Sequence, residues 1–353
     1  MSHLTNSIVL ALLSTTANAL PGLKGGPSFG GHGHPSFNSH QNNDWRHGLD
    51  LDKLHPTCPE GFPEILFYDN FATYEPGSQP DPTKWTIDIG HKYPSLDAPD
   101  NWGTGEKQYY TDDERNLVIT EQGTLRIAPL RPEDSIRDEW TSARIETTEE
   151  WDFRAKPGQK LRIQAAIKLG DEPQENQLGI WPAFWSLGSD YRGVYNNWPR
   201  VGEIDILESA NGLPFSWQAL HCGYWIGNDG GPCNEPNGIA SEDGWPFSRG
   251  EWHVVSVDID RTKPGDDWRE EKIVWRIDGK VVFTVKGSDV GDRTYWLNIT
   301  DKDHMILLNV AVGGAFPDKI ANVPQGTTPT AATVGGIRSS LEAKYVIVFA
   351  SHR

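Results

Sequence analysis

The hydrophobic pattern of this chain is a series of short runs in which apolar and polar residues alternate. In residues 161–168 and again in residues 255–259, aliphatic side chains occupy every second position. Because strand side chains point alternately to the two faces of a sheet, a period of two predicts strands with one buried face. Residues 345–349 are apolar throughout, which predicts a final strand buried on both faces.

A hairpin is indicated by Asp278-Gly279, which separates the apolar runs 273–277 and 281–285. This dipeptide is the one that a type I′ turn prefers, since both central residues need positive φ. No run of 12 or more residues has convincing helical periodicity. The pattern therefore favours an all-β fold, an antiparallel β-sandwich, over any α/β arrangement.

Three carboxylates lie in one apolar hexapeptide, Glu-Ile-Asp-Ile-Leu-Glu, which begins at Glu203. In a regular strand Glu203 and Asp205 share one face, whereas Glu208 points to the other. One extra residue near Ile206 or Leu207 would form a β-bulge and reset the alternation. The hexapeptide then places all three acids on the same side of the sheet.

Such a group of acids suits the hydrolysis of a glycosidic bond, for which one carboxylate attacks the sugar carbon and a second carboxyl group protonates the departing oxygen. The interleaved aliphatic residues favour a half-buried strand over a solvated acidic run. Two other interpretations stay open at this point. The acids could form an ordinary polar strand face, or they could form an oxygen-rich calcium site.

Composition narrows the class of protein further. The chain has 353 residues without a fixed repeat, so one large domain is the simplest organisation. With 32 basic and 49 acidic residues its formal net charge is −17, and no lysine-rich or arginine-rich run is present. Because binding a polyanion depends on clustered basic residues, nucleic acid is not expected as a partner.

The three cysteines leave one residue unpaired in any disulfide scheme. Cys222 with Cys233 is the preferred pair, and Cys58 is then left over. Closing this short loop would stabilise the fold by roughly 3 kcal/mol if strain is small. The alternative is three buried thiols.

The N-terminal segment predicts export. Residues 8–13 form a short apolar run, and residues 17–19 are a small-x-small site of the kind that signal peptidase cuts. We expect a signal peptide at 1–19, a flexible Gly/His/Pro-rich lead segment at 20–57 and a catalytic domain at 58–353. No other segment is apolar enough to cross a membrane. A secreted monomer that binds no membrane is the expectation.

Tryptophan is unusually frequent, with 15 residues, and several surround the acidic hexapeptide. Trp181, Trp185 and Trp198 precede it, and Trp217 and Trp225 follow. Flat apolar rings are suited to stack on sugar rings, although large sandwiches also fill their core with aromatic residues. For each tryptophan a place in the core is the alternative.

Several blocks of sequence occur in a characteristic order along residues 68–353. They are residues 109–110, 116–119, 141–145, 179–185, 197–199, 202–208, 221–223 and 308–314. On these blocks the chain resembles glycoside hydrolase family 16, in particular the fungal endo-β-1,3(4)-glucanases and laminarinases. Its acidic hexapeptide matches the bulged variant of the family and not the shorter, unbulged variant of lichenases.

The resemblance implies a jelly-roll sandwich with a concave substrate cleft and internal cleavage of β-glucan with retention of configuration. It implies that Glu203 is the nucleophile, that Glu208 is the general acid/base and that Asp205 assists between them. Asp205 would share a hydrogen bond with Glu203 and modulate its basicity.

The resemblance also implies which residues contact glucose units. Trp185, Trp198 and His221 match positions that line sugar subsites, and Asn116 and Arg144 match polar contacts. His221 could instead be a hydrogen-bonded strand histidine. Two segments, residues 228–237 and 261–271, are expected to be loop variations at the rim of the cleft.

The resemblance implies that no redox or group-transfer cofactor is needed, and a structural calcium is common in the family. Two rival functions stay open at this stage. The chain could be a non-catalytic β-glucan-binding protein, or a wall-remodelling transglycosylase on the same fold. The first would bind glucan without cleaving it, and the second would make products longer than the supplied oligosaccharide.

Overall fold

A computed structural model describes residues 56–224, 229–262 and 267–352. Within them the regular structure is almost entirely strand. The strands are β1 (Glu64–Asp69), β2 (Trp85–Asp88), β3 (Tyr109–Tyr110), β4 (Leu117–Ile119), β5 (Leu125–Ile127), β6 (Thr141–Ser142), β7 (Arg144–Thr147), β8 (Lys160–Leu169), β9 (Ile180–Gly188), β10 (Glu203–Glu208), β11 (Phe215–His221), β12 (Ile239–Ala240), β13 (Trp245–Pro246), β14 (Trp252–Asp260), β15 (Lys272–Ile277), β16 (Lys280–Lys286), β17 (His304–Val312) and β18 (Leu341–Ala350).

The helices in the described part of the chain are short. Three are α-helical, namely α1 (Gly287–Val290), α2 (Arg293–Thr300) and α3 (Ala315–Ile320). The others are single 3₁₀ turns at Asp100–Gly103, Pro132–Asp134, Glu149–Trp151, Gln174–Asn176, Ser189–Tyr191, Gly231–Cys233, Trp268–Glu270 and Ile337–Ser339. None of the helices seen in the described ranges has the length and apolar character needed to cross a bilayer.

Two large antiparallel sheets form a sandwich, which confirms the predicted fold class. The first sheet has the order β16-β15-β14-β8-β18-β5-β4, and β1 pairs with the far end of β18. The second has the order β12-β11-β10-β9-β17-β7-β2, and β13 pairs with β11. Strands β3 and β6 form a separate parallel pair. The acidic hexapeptide is strand β10, near the middle of the second sheet.

The alternating runs bury the faces that their pattern predicts. The aliphatic positions of β8 and β14 join one core cluster between the sheets, together with apolar residues of β9, β10, β17 and β18. Asp278 and Gly279 have φ of 50° and 76° and connect β15 to β16, so the predicted hairpin is confirmed. The apolar run at 345–349 lies within β18, whose neighbours on its two sides are β8 and the β5/β1 pair.

The predicted disulfide between Cys222 and Cys233 is present, and Cys58 is free and exposed. The disulfide joins the residue that follows β11 to the 3₁₀ turn at Gly231–Cys233. The predicted signal peptide and nearly all of the lead segment lie outside the described residues, as does Trp225.

Candidate active site

Strand β10 contains the β-bulge that the acidic hexapeptide required. Against β9, Asp205 pairs with Trp185 but Leu207 pairs with Phe184, so Ile206 is the extra residue. Against β11 the register likewise shifts between Asp205 and Glu208. The bulge makes two successive residues point inward, since both Ile206 and Leu207 lie in the core.

The three acids consequently lie on the face of the second sheet that points away from the core. Glu203 and Glu208 are half-buried and Asp205 is buried, whereas the intervening aliphatic residues are fully buried. In a regular strand, without the bulge, the Glu208 carboxyl group would point into the apolar core. A buried, unpaired carboxylate there would cost several kcal/mol, so the core itself favours the bulged register.

A tryptophan in the opposite sheet completes the backbone hydrogen bonding of the bulge. Because a bulge disrupts the ladder, the carbonyl groups near it need other donors. The indole Nε1 of Trp275, on β15, crosses the core and donates to the backbone oxygen of Asp205 at 2.8 Å. Trp275 is fully buried, so this contact fixes the bulge from behind the acids.

Deletion of Ile206 should preserve the fold and should keep all three acids on the same face of the sheet. Without this residue the pairings of Asp205 and Glu208 on both sides become one regular ladder, with all three acids on the same face. The lost core side chain should lower the free energy of unfolding by about 2–5 kcal/mol, measured by urea denaturation. As a control, deletion of Ile306 from the regularly paired β17 should prevent folding, because it shifts the register by one residue. Equal loss of folding in both deletions would contradict this description of the bulge.

Burial dominates the electrostatics of the three acids. It raises the pKa of Glu208 to about 7, against the opposing influence of His221 and of a hydrogen bond from Trp181. It also raises the pKa of Asp205 well above its usual range, reinforced by the negative charges of Glu203 and Glu208. Burial thus favours the protonated form of both groups, and Glu208 exchanges its proton near neutrality.

His221 supplies the positive charge that the acids share. Its Nε2 lies 3.4 Å from Asp205 and 3.9 Å from Glu203, and its Nδ1 lies 2.7 Å from Glu235. Burial would lower the pKa of His221, but the hydrogen bond to Glu235 and the charges of the other two acids raise it to about 10. Burial raises the pKa of Glu203, and the imidazolium counteracts this rise. The strand histidine is therefore both hydrogen-bonded and part of the site.

This group also has to be tested as a metal site. Glu203, Asp205 and His221 offer ligand atoms within 4.8 Å of one another, and no second group of three such side chains is found in the described ranges. Ca²⁺ prefers six to eight oxygen ligands, and an imidazole that carries both protons has no lone pair to offer. The residues therefore fit an internal ion-pair network and do not fit a calcium site.

Aromatic residues extend from the acids in one direction along the sheet. The indole of Trp181 donates to Glu208 at 3.0 Å, and its ring lies 5.4 Å from Phe316 of α3. Phe316 in turn lies 5.8 Å from Trp217, whose ring lies 6.1 Å from Phe215. These rings form a continuous apolar surface beside the Glu208 end of β10.

On the other side of the acids, Trp185 is held by a buried chain of hydrogen bonds. Its Nε1 donates to Asn309 at 2.7 Å, and Asn309 donates to the hydroxyl of Tyr110 at 3.1 Å. Tyr110 then donates to Glu106 at 3.0 Å. Trp198 packs near this group, with its ring 5.4 Å from that of His221. Both predicted tryptophans are thus brought to the acids.

Arg144 is close to the site but is engaged within the protein. Its guanidinium donates to Asp88 at 3.0 Å and to the hydroxyl of Tyr93 at 2.8 Å. It also lies 4.6 Å from the ring of Trp102 and 4.8 Å from that of Trp185. The buried cation therefore supports the aromatic rings from beneath, and its predicted contact with a sugar stays a prediction.

Asn116 occupies a different environment. It precedes β4, at the edge of the first sheet, and is buried. Its amide accepts from Thr111 at 2.7 Å and donates to the carbonyl of Ala128 at 2.9 Å. Because both ends of the amide are used locally, the structure gives no support to the expected sugar contact.

Residues of the site that were not predicted from the sequence include Trp275, Glu235, Asn309 and Phe316. Trp275 acts through a contact across the core and Glu235 through contacts made by a loop, and no local pattern indicates either. Asn309 was the one polar residue in the apolar block 308–312, and this anomaly could have drawn attention to it.

A sandwich whose bulged strand presents three carboxyl groups among aromatic rings is the arrangement of a glycoside hydrolase. The family model described as the XgeA-like, catalytic GH16 domain matches residues 98–230 of this chain. A solved endo-1,3-beta-glucanase from Streptomyces sioyaensis is 35% identical, with a TM-score of 0.74 over 85% of this chain and 100% of that one. The chain belongs to glycoside hydrolase family 16.

Curated relatives include proteins with two kinds of name. The glucan endo-1,3-beta-glucosidase A1 of Niallia circulans is 28% identical over 81% of this chain, which spans 37% of that protein's length. The beta-1,3-glucan-binding protein of Penaeus monodon is 29% identical over 54% of this chain and 52% of its own length. One of these relatives is thus named for cleaving glucan and the other for binding it.

Proposed function

We propose that this protein is a secreted, endo-acting, retaining β-glucanase that hydrolyses β-1,3-glucan and, as a second substrate, mixed β-1,3-1,4-glucan. The observation that carries the proposal is the bulge at Ile206, because it turns Glu208 to the same face as Glu203. The endo-1,3-beta-glucanase from Streptomyces supports the choice of substrate. The proposed reaction requires no metal ion and no group-transfer cofactor.

The proposed reaction has two steps. Glu203 attacks the anomeric carbon and forms a glycosyl ester, while Glu208 gives its proton to the departing glycosidic oxygen. Glu208 then takes a proton from water, the water oxygen attacks the same carbon, and the Glu203 carboxylate is released. Each step inverts the carbon, so the configuration is retained overall. Asp205 lies on the same face between the two glutamates, and we expect it to share a hydrogen bond with Glu203 and to modulate its basicity.

The aromatic surface supports a polymeric substrate. Trp185 lies opposite Asp205, and Trp198 lies beside His221, which pairs with Glu203. Trp181 and Trp217 lie beside Glu208. Rings on both sides of the acids can stack on sugar units on both sides of the scissile bond. An enzyme with this arrangement cleaves within a chain.

Incubation of the purified protein with laminarin and with barley mixed-linkage glucan tests the proposal. We expect a ladder of oligosaccharides from laminarin, with the β-anomer formed first when the products are followed by proton NMR. The α-anomer formed first would refute the retaining mechanism. Binding of laminarin without any cleavage would favour the glucan-binding alternative, and products longer than a supplied oligosaccharide would favour the transglycosylase.

Export is part of the proposal. The disulfide between Cys222 and Cys233 supports an oxidising destination, and residues 1–19 have the pattern of a signal peptide. N-terminal sequencing of the protein recovered from the medium of an expressing fungal host should begin at Leu20. We further propose that the protein is of the fungal laminarinase type and that it is a monomer. Light scattering tests the monomeric state.

Replacing Trp275 with phenylalanine should impair catalysis, although this residue is buried in the core and does not contact the substrate. The variant leaves the Asp205 carbonyl without its donor, which should lower the free energy of unfolding by about 1–3 kcal/mol. Relaxation of the bulge should lower kcat on laminarin by about 10- to 100-fold, since small displacements of reacting groups are costly.

Trp296→Phe is the matched control for this prediction. Trp296 is also a fully buried tryptophan, and its indole donates to Glu271 at 2.7 Å, away from the bulge. It should lose comparable stability but keep its kcat per folded molecule. Equal kcat in the two variants would show that Trp275 serves only the core.

A further inference from the structure

A glutamate of the loop after β11 makes the closest contact with the site histidine. Glu235 is buried, and its side chain has no exposed surface. One carboxylate oxygen lies 2.7 Å from Nδ1 of His221, and the other accepts from the backbone nitrogen of Cys222 at 2.9 Å. Both oxygens are therefore fixed by residues at the end of β11.

The surrounding loop leaves the carboxylate and the imidazole little freedom. Cys233, two residues before Glu235, is tied to Cys222 by the disulfide. The backbone nitrogen of Glu235 also donates to the carbonyl of Gly230. On the other side, a Cβ added at Gly238 would lie 3.0 Å from Cε1 of His221, so this glycine packs directly against the ring.

The far side of the imidazole faces the acids of β10. Nε2 lies nearest to the Oδ2 atom of Asp205, which is buried and has no hydrogen-bond partner among the described residues. Glu203 lies next, and the positive charge also acts on Glu208. The positive groups that act on the same acids are Arg144, toward Glu203, and Lys319, toward Glu208. His221 is thus bracketed by carboxylates from two different elements.

We propose that Glu235 is a positioning residue that fixes the ring orientation and the charge of His221, so that the imidazolium faces Asp205 and Glu203. The carboxylate accepts the Nδ1 proton and leaves Nε2–H directed at the acids. Without it, the ring loses the partner that defines its orientation. The inference rests on the proposed function only for its kinetic consequence, because the charge of His221 can be measured in the absence of substrate.

The primary test is an NMR titration of the imidazole nitrogens of His221 in the full, ¹⁵N-labelled chain, assigned with His221→Asn. In the unmodified protein we expect His221 to stay protonated from pH 5 to 9, in accord with a pKa of about 10. In Glu235→Gln the pKa of His221 should fall by about 1–3 pH units. A histidine that titrates near 6.5 in the unmodified protein would overturn the inference, even if no variant folds.

The kinetic test distinguishes a role of Glu235 in positioning His221 from a purely structural role. We expect Glu235→Gln to lower kcat on laminarin by about 10- to 100-fold with little change in KM, and Glu235→Asp to recover part of this loss because it keeps the charge. Glu271→Gln is the matched control, since Glu271 is also buried and paired, with Arg261 at 3.4 Å. It should keep its kcat. An unchanged kcat in Glu235→Gln would refute the role in catalysis.

The two tests also separate this inference from the proposed function. If the protein cleaves no glucan but the pKa of His221 falls in Glu235→Gln as expected, the proposed function fails and the positioning role stands. If the protein cleaves laminarin and Glu235→Gln alters neither the titration nor the kcat, the proposed function stands and the positioning role fails.

Discussion

Replacing Glu203 with glutamine is expected to lower kcat on laminarin on the order of 10⁵-fold while leaving the binding of glucan almost unchanged. The amide nearly preserves the shape of the side chain, and Trp185 and Trp198 still line the surface beside it. An amide nitrogen or oxygen, however, does not form the glycosyl ester on which the second step depends. Steady-state kinetics and affinity electrophoresis in laminarin measure the two effects separately.

Glu342→Gln provides the matched control for this substitution. Glu342 is a half-buried strand glutamate of β18, in the other sheet, where it pairs with Lys168 at 3.2 Å. Its replacement removes one carboxylate from a strand and should leave kcat unaltered. Substantial residual hydrolysis in Glu203→Gln, with this control active, would assign the nucleophile to another group. Asp205 would be the next candidate.

The sequence contains most of the information on the fold because that information is local. The alternation in β8 and β14 follows from the need of each sheet to bury one face, and the turn at Asp278-Gly279 follows from positive φ. The bulge was predictable for a different reason. In a regular strand Leu207 would point away from the core and Glu208 would point into it. This conflict indicates an extra residue in the strand.

The contacts that support the site could not be predicted in the same way. Trp275 is 70 residues away in sequence from the carbonyl that it binds, and nothing in its own strand distinguishes it from an ordinary core residue. Glu235 lies in a loop that the sequence identified only as a variation at the cleft rim. Helix α2 was missed because its eight residues are too few for a helical period to become evident.

The sugar contacts expected of Arg144 and Asn116 remain predictions, because internal partners occupy both side chains. Both belong to sequence blocks of the family, but one is a buried cation beneath aromatic rings and the other a buried amide beside β4. A polar residue in a shared block is retained equally well for an internal hydrogen bond as for a ligand. The difference becomes visible only when the partners of each polar atom are known.

Replacing Glu208 with alanine is expected to lower kcat/KM on laminarin by about 10²- to 10⁴-fold, the usual contribution of a general acid/base. The loss should be much smaller with an aryl laminaribioside whose leaving group needs no proton. With this substrate the release of the glycosyl ester becomes the slow step, because no base activates the water.

Azide should then restore the rate of Glu208→Ala. The azide ion enters the space left by the carboxyl group and attacks the anomeric carbon, a carbon–nitrogen bond forms, and the ester bond to Glu203 breaks. The product is a β-glycosyl azide, identified by mass spectrometry and NMR. Glu208→Gln is the control, since its amide fills the same space and still accepts from Trp181. It should show no restoration. Equal restoration in both variants would place the acid/base elsewhere.

The pH dependence offers an independent check of the same assignment. Burial raises the pKa of Glu208 to about 7, and the group must hold its proton to act as the acid. As pH rises through 7 the proton is lost, so kcat/KM of the unmodified protein on laminarin should fall on the alkaline side of neutrality. In Glu208→Ala this decline should disappear when the aryl substrate is used, because no proton is required for its departure. A decline that persists unchanged would belong to a different group, and the role of Glu208 would have to be given up.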